Sequence, residues 1–462
     1  MLDEHIQEWQ SFVQRVNLIG LFDHSGRAGN GFFFTVFDLH PEIICCPWMH
    51  YTYSYLVRRF GLEQILPCES VHSYWVHEYY FRLLYQDRST ESDAQIIKFG
   101  GDPSAVVARD RIRAIFDSVV RGQSTILRRE LVLLTYFAYA KGTDRDLSRI
   151  RYILTSDVIS NYETVLREFR GDAVVATLED FPKAKLLSLV RDPRAVFASN
   201  RHQFVNANGN MYGVRFGTYA CRLKELMQLS LGFESCAYLF WILYATTAAR
   251  SMYRIKKMLP GRFLTIRNED LNLRFAETLK DICAQLEVSF DARWAEREFM
   301  PTSVGCPWRG TGAYNNRYQT NLTGPLQNDS QLVADRTSGP NAYVTRRWRS
   351  KLSRSEIALT EHLFREELID LGYDFLETER GSISRVRLLA AVVVPFRGEI
   401  PGLRWLLEGF RQGPRELTER VLYYLSLPLF YVGARAQLWR LITKRRFFEG
   451  VVGNTVNPAP MP

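Results

Sequence analysis

Residues 16–38 read VNLIGLFDHSGRAGNGFFFTVFD, and their order decides the fold. Val16 to Phe22 is an apolar run of strand length, rich in β-formers. Gly26, Gly29 and Gly31 then interrupt it, and Phe32 to Leu39 has the composition of the start of a buried helix. Strand, glycine-rich loop and helix N-terminus together make an anion cradle. Backbone N–H groups converge there, the helix dipole adds partial positive charge, and glycine lets the chain approach a phosphate. Gly26 and Gly31 have Walker A spacing, but Phe32 and Phe33 stand where its Lys and Ser/Thr belong. The loop therefore suits a nucleotide 5′-phosphate better than an ATP γ-phosphate.

The remaining apolar runs alternate with helical patterns. Residues 3–15 have an amphipathic helical pattern, and Ile43–Cys46, Gln95–Phe99, residues 151–158, LLSLV (186–190) and Phe263–Ile266 are strand segments. Residues 51–90, 105–141, 234–258 and 346–373 are helical, and 301–345 form a long loop. Strands alternating with helices predict an α/β fold: three layers, P-loop-like, with a central parallel sheet flanked by helices. Ligands of such sheets collect at the carboxyl ends of the strands.

The 462 residues carry a net charge of +9, unevenly distributed. From Gly381 onward there are 12 Lys and Arg against 5 Asp and Glu, a net +7, so the rest is nearly neutral. We therefore divide the chain into a domain at 1–380 and a basic amphipathic helical extension at 381–462. Arg435, Arg440, Lys444, Arg445 and Arg446 interleave with Leu, Trp and Phe, the pattern of an in-plane helix on an anionic membrane surface. Positive charge gathered in an apolar tail does not read as a nucleic-acid surface. Seven scattered Cys without metal spacing and a polar start (MLDEHIQEWQ) predict a reduced cytoplasmic protein, peripheral on the inner face of the membrane if the tail docks there. No metal site is expected.

The second informative stretch is LLSLVRDPRAVFASNRHQF (186–204). Arg191 follows a buried strand, Asp192-Pro193 starts a helix, and Ser199 lies two turns on. A guanidinium fork beside a hydroxyl makes a phosphate monoester clamp.

SGRAGNGFF followed by His40-Pro41-Glu42, with RDPRAVFAS downstream, resembles the sulfotransferases that use 3′-phosphoadenosine-5′-phosphosulfate (PAPS), most closely their carbohydrate-type and bacterial branch. LTIRNEDL (264–271) and the segment from Arg346 to Phe375 are similar to later elements of that family. The resemblance implies transfer of a sulfuryl group from PAPS to a hydroxyl of a carbohydrate or other small acceptor, releasing adenosine 3′,5′-bisphosphate without a metal. It implies that Arg27, Ala28, Gly29, Asn30, Gly31 and Phe32 hold the 5′-phosphosulfate and that Arg191 and Ser199 hold the 3′-phosphate. A segment with Trp308, Arg309 and Gly310, followed by Tyr314 and Asn315, would close over the nucleotide. Asn30 replaces a family hydroxyl and offers its amide instead. Asn268, Glu269 and Asp270 are expected to cap the helix after their strand.

Relatives carry a Glu soon after the His-Pro turn. Here the stretch is CCPWMH (45–50), with no carboxylate. Arg27 is then the expected stabiliser of the moving group and His50 the general base, with His24 the second choice and Asp102 and Asp157 further ones. Lys98 is a lesser candidate for the sulfuryl oxygens. The competing readings are a catalytically inactive nucleotide- or glycan-binding relative and a P-loop kinase. The missing Lys and Ser/Thr argue against the kinase.

Overall fold

The computed structural model describes residues 2–23, 28–77, 109–158, 172–206, 252–296, 299–308, 339–394 and 403–443. In chain order the first elements are α1 (Leu2–Arg15), β1 (Asn17–Asp23), α2 (Asn30–Val36), β2 (Ile43–His50), α3 (Thr52–Phe60) and β3 (Ile65–Pro67). Then come α4 (Cys68–His77), α5 (Arg109–Val120), β4 (Thr125–Leu127), α6 (Arg128–Gly142), β5 (Tyr152–Val158), α7 (Asp172–Asp180) and β6 (Lys185–Val190). They are followed by α8 (Pro193–Asn206), β7 (Phe263–Arg267), α9 (Asn268–Leu273) and α10 (Phe275–Leu286). Four short helices come next, α11 (Ala342–Arg346), α12 (Trp348–Lys351), α13 (Arg354–Leu363) and α14 (Arg365–Asp370). The tail forms α15 (Arg385–Val393), α16 (Leu403–Gln412) and α17 (Pro414–Thr443).

Five strands form one parallel sheet in the order β2-β5-β1-β6-β7. Their near-continuous hydrophobicity has a simple cause. The two-residue period sends Leu18 and Phe22 of β1, Ile153 of β5 and Leu186 of β6 into one core. Ile19, Leu21, Leu154, Leu187 and Leu189 enter a second core on the other face. Helices cover both faces, and the three-layer α/β expectation holds.

Two details depart from the sequence expectation. The helix after the glycine loop starts at Asn30 and ends at Val36, and Leu39 beyond it has a left-handed φ of 61°. A two-stranded antiparallel sheet of β3 and β4 lies within the regions read as helical. Its strands are three residues each, too short for a period-2 signal to emerge. The strand expected at Gln95–Phe99 and most of the helix expected at 234–258 lie outside the described residues.

The chain divides into two compact units. The first holds residues 1–192, 248–318 and 327–347, and with them the sheet; the second holds 193–247, 319–326 and 348–462. In the first, His40 of the His-Pro-Glu turn is buried and structural. The Glu42 amide donates to its Nδ1, so Nε2 carries the proton and donates to the Ser289 carbonyl. Burial holds this imidazole below its ordinary value. In the second, the fully buried Glu361 accepts from Arg194, the Leu376 and Glu377 amides and the Thr378 hydroxyl.

Arg128 is buried in the first unit and donates Nε and Nη2 to both oxygens of Asp180 at 2.8 and 3.0 Å; the Tyr53 hydroxyl donates to the same carboxylate. Removing one partner of such a buried pair strands a charge. Asp180→Ala is expected to cost roughly 3–5 kcal/mol in urea unfolding, and Arg128→Met/Asp180→Ala less than Asp180→Ala alone.

Candidate active site

Parallel register brings the ends of β1, β5 and β6 to one edge of the sheet. Phe22 pairs with Asp157 on one side and Ser188 on the other, and Asp23 pairs with Val158. Asp23, Asp157 and Arg191 are therefore neighbours in strand order at the carboxyl edge. The β2 strand reaches it after a register shift, with His50 opposite Ser156 and the Tyr51 amide donating to the Ser156 carbonyl at 2.6 Å.

The loop leaving β1 returns at Ala28, which is fully buried, and at Gly29. Gly29 has φ 112°, ψ 18°, and a Cβ built there would sit 2.1 Å from Asn268 Nδ2. Only glycine meets both demands. The first helical hydrogen bond of α2 runs from the Phe33 amide to the Gly29 carbonyl at 3.0 Å. Phe32 turns away from the loop into aromatic packing, its ring centroid 6.2 Å from Phe275 and 5.8 Å from Trp308.

Asn30 departs from expectation in one respect. Its Nδ2 donates to Asp23 Oδ2 at 2.6 Å and to Ser156 Oγ at 3.3 Å, so the amide braces the loop against β1 and β5 rather than facing outward. Asp23 and Ser156 were not singled out from the sequence; a lone Asp closing an apolar strand was the available signal.

Arg191 is buried at the end of β6 and donates Nη2 to the Val344 carbonyl of α11 at 3.0 Å. The turn behind it is fixed by Glu269, whose Oε1 accepts from the Asp192 amide at 3.0 Å. Glu269 thus fixes the turn after β6 instead of capping α9, Asn268 packs against Gly29, and Asp270 pairs with Arg274. Among the described residues no side chain caps α9. Ser199 is buried on α8, in the second unit.

Asp157 is a strongly perturbed carboxyl near this edge. It is buried; Oδ1 accepts from the Ser54 amide of α3 at 2.8 Å, and Oδ2 has no hydrogen-bond partner among the described residues. Desolvation pushes its carboxyl up to about 7, against the lowering effect of the bonds from Ser54 and Tyr53.

His24, Arg27, Lys98, Asp102, Arg309, Gly310, Tyr314 and Asn315 lie outside the described residues, as does the side chain of His50. Among the described residues no group of three or more His, Cys, Asp or Glu is placed to hold a metal ion.

A model described as "Sulfotransferase family" matches residues 172–292, the stretch that carries β6, Arg191 and the LTIRNEDL strand. The sulfotransferase resemblance read from the motifs holds over that stretch; the match does not separate the carbohydrate-type and bacterial branch from others. No curated protein matches the chain. Similar solved structures include the "Sulfotransferase Domain from the Curacin Biosynthetic Pathway" at 14% identity and TM-score 0.39, covering 78% of this chain and 100% of that one. Another is sulfotransferase STF9 from Mycobacterium avium at 12% identity and TM-score 0.33, covering 82% and 83%.

Gly29→Ala should destabilise by about 2 kcal/mol or more, through strain at positive φ and collision with Asn268. Adding Asn268→Ala should recover only part of this in a double-mutant unfolding cycle, because the backbone strain remains.

Proposed function

We propose that this chain, which matches the sulfotransferase family over residues 172–292, moves a sulfuryl group from PAPS to a hydroxyl of a carbohydrate or other small acceptor. The observation that carries the reading is one edge of one sheet. The glycine turn after β1 and the arginine after β6 share it, in a chain with that family match. The residues present fit a 3′,5′-substituted nucleotide. A turn that excludes a Cβ leaves backbone N–H groups open to a 5′-phosphosulfate, and a guanidinium at the neighbouring strand-end suits a 3′-phosphate.

PAPS, when bound, supplies the sulfuryl group, which passes to the acceptor oxygen as adenosine 3′,5′-bisphosphate leaves. Arg27, Ala28, Gly29, Asn30, Gly31 and Phe32 form the cradle at the 5′ end, with Arg27 neutralising charge at the transferred group. Arg191 holds the 3′-phosphate, with Ser199 as the hydroxyl that the motif assigns it. Arg309 and Gly310 follow Trp308, which packs on Phe32, and would close the nucleotide site. Residues 1–380 carry this activity in our reading, in the cytoplasm.

For the general base we propose Asp157, ahead of His50 and His24. Its value near 7 lets it accept the acceptor's proton at neutral pH and release it afterwards. The test is conversion of labelled PAPS across an acceptor panel. The wild type should show an acid limb in kcat/KM near pH 7, and Asp157→Asn should lose that limb and at least about a hundredfold in rate. Full activity in Asp157→Asn would move the base to His50, with His50→Gln as the next variant.

The same carboxyl has a signature in stability. Its folded value lies above its ordinary 3.8, so the native state holds the proton more tightly. Stability should fall as pH rises from about 4 to about 7, by an amount on the order of 4 kcal/mol, and Asp157→Asn should flatten that slope.

A further inference from the structure

The tail helices of the second unit turn apolar stripes outward. On α17, Leu422, Leu425, Leu429 and Val432 recur at helical spacing and are exposed, from 45% at Leu422 to 73% at Leu425. On α16, Leu403, Leu407 and Phe410 form a second exposed stripe, and α15 repeats the pattern from Val386 to Val393. The buried side of α17 holds guanidiniums. Arg420 is fully buried, and a Cβ on Gly409 would meet its Cδ at 3.0 Å and the Leu417 Cα at 3.2 Å, so α16 and α17 cross closely there. Arg435 is buried and donates to the Ala391 and Val394 carbonyls at 3.4 and 3.2 Å, satisfying the C-terminal end of α15. The Tyr431 hydroxyl donates to the Val393 carbonyl beside it.

Apolar stripes turned outward on three successive helices, one of which buries two arginines, call for a partner. The partner must be apolar enough to take the stripes and negative enough to suit a segment with 12 Lys and Arg against 5 Asp and Glu. A second copy of this chain answers the first demand and fails the second, since it brings the same positive charge. A bilayer surface with anionic headgroups answers both. Trp439, half-exposed further along α17, is a residue type that favours the headgroup boundary. Among the described residues no helix is long and apolar enough to cross a membrane, so these helices would lie in the interface rather than span it.

We propose that the outward faces of α15, α16 and α17 dock the protein on an anionic lipid bilayer. The inference is independent of the donor site and of the reaction.

The test is flotation of the full chain with phosphatidylcholine vesicles and with vesicles that also contain phosphatidylglycerol, alongside light scattering without lipid. The full chain should be monomeric, float with the anionic vesicles, and release as ionic strength rises from about 0.15 M to about 1 M. Leu425→Glu/Leu429→Glu, confined to exposed positions, should keep its melting profile and lose at least about tenfold in bound fraction. Arg411→Gln/Arg415→Gln should lose the preference for anionic lipid. Failure to float, equal binding to both vesicle types, or a solution dimer that Leu425→Glu/Leu429→Glu dissociates would each overturn the proposal; the last would assign the face to a second copy.

Discussion

Five strands running the same way leave every strand-to-helix turn of the sheet at one edge. Parallel pairing fixes the heights of those turns by register, so backbone hydrogen bonds set the levels of the glycine loop, Asp157 and Arg191, and side chains then hold the turns in shape. The tightest requirement in that arrangement is the close approach of Gly29 to Asn268. It ties the loop after β1 to the helix after β7, across the strand between them. Glu269, the next residue, holds the Asp192 amide, so two adjacent residues of α9 fix both turns at the edge.

Polar groups around the edge serve two ends. Asn30, Asp23 and Ser156 are committed to one another and keep the loop in shape. Asp157 differs, because one of its oxygens binds the start of α3 and the other has no partner among the described residues. A buried carboxyl with no cationic partner among the described residues is held near neutral pH by desolvation, which is the condition a general base needs.

Much of the fold was legible because its strands are buried on both faces and stand out as unbroken apolar runs. The glycine loop and the Arg191 turn were legible because backbone conformation and charge need particular residue types there. Other features depend on three-dimensional neighbours. The Asn30 amide was expected to face a ligand, yet Asp23 and Ser156, the latter 126 positions away, claim it. Asp157 looks in sequence like any polar residue closing a strand, and only burial raises its proton affinity. The β3–β4 ribbon escaped notice because three residues cannot display a period. The tail's apolar segments with interspersed Arg were visible, but their outward-turned stripes were not, since hydrophobicity alone does not say which side of a helix is outside.

The central claim is that the carboxyl edge of the sheet binds a nucleotide through two separated phosphates. Titration calorimetry of the full chain with adenosine 3′,5′-bisphosphate, beside AMP and ATP–Mg²⁺, tests it most directly. The account predicts that the bisphosphate binds at least about tenfold more tightly than AMP and that Arg191→Ala removes the difference. Tight binding of ATP–Mg²⁺ with none of the bisphosphate, or a bisphosphate affinity indifferent to Arg191→Ala, would contradict it.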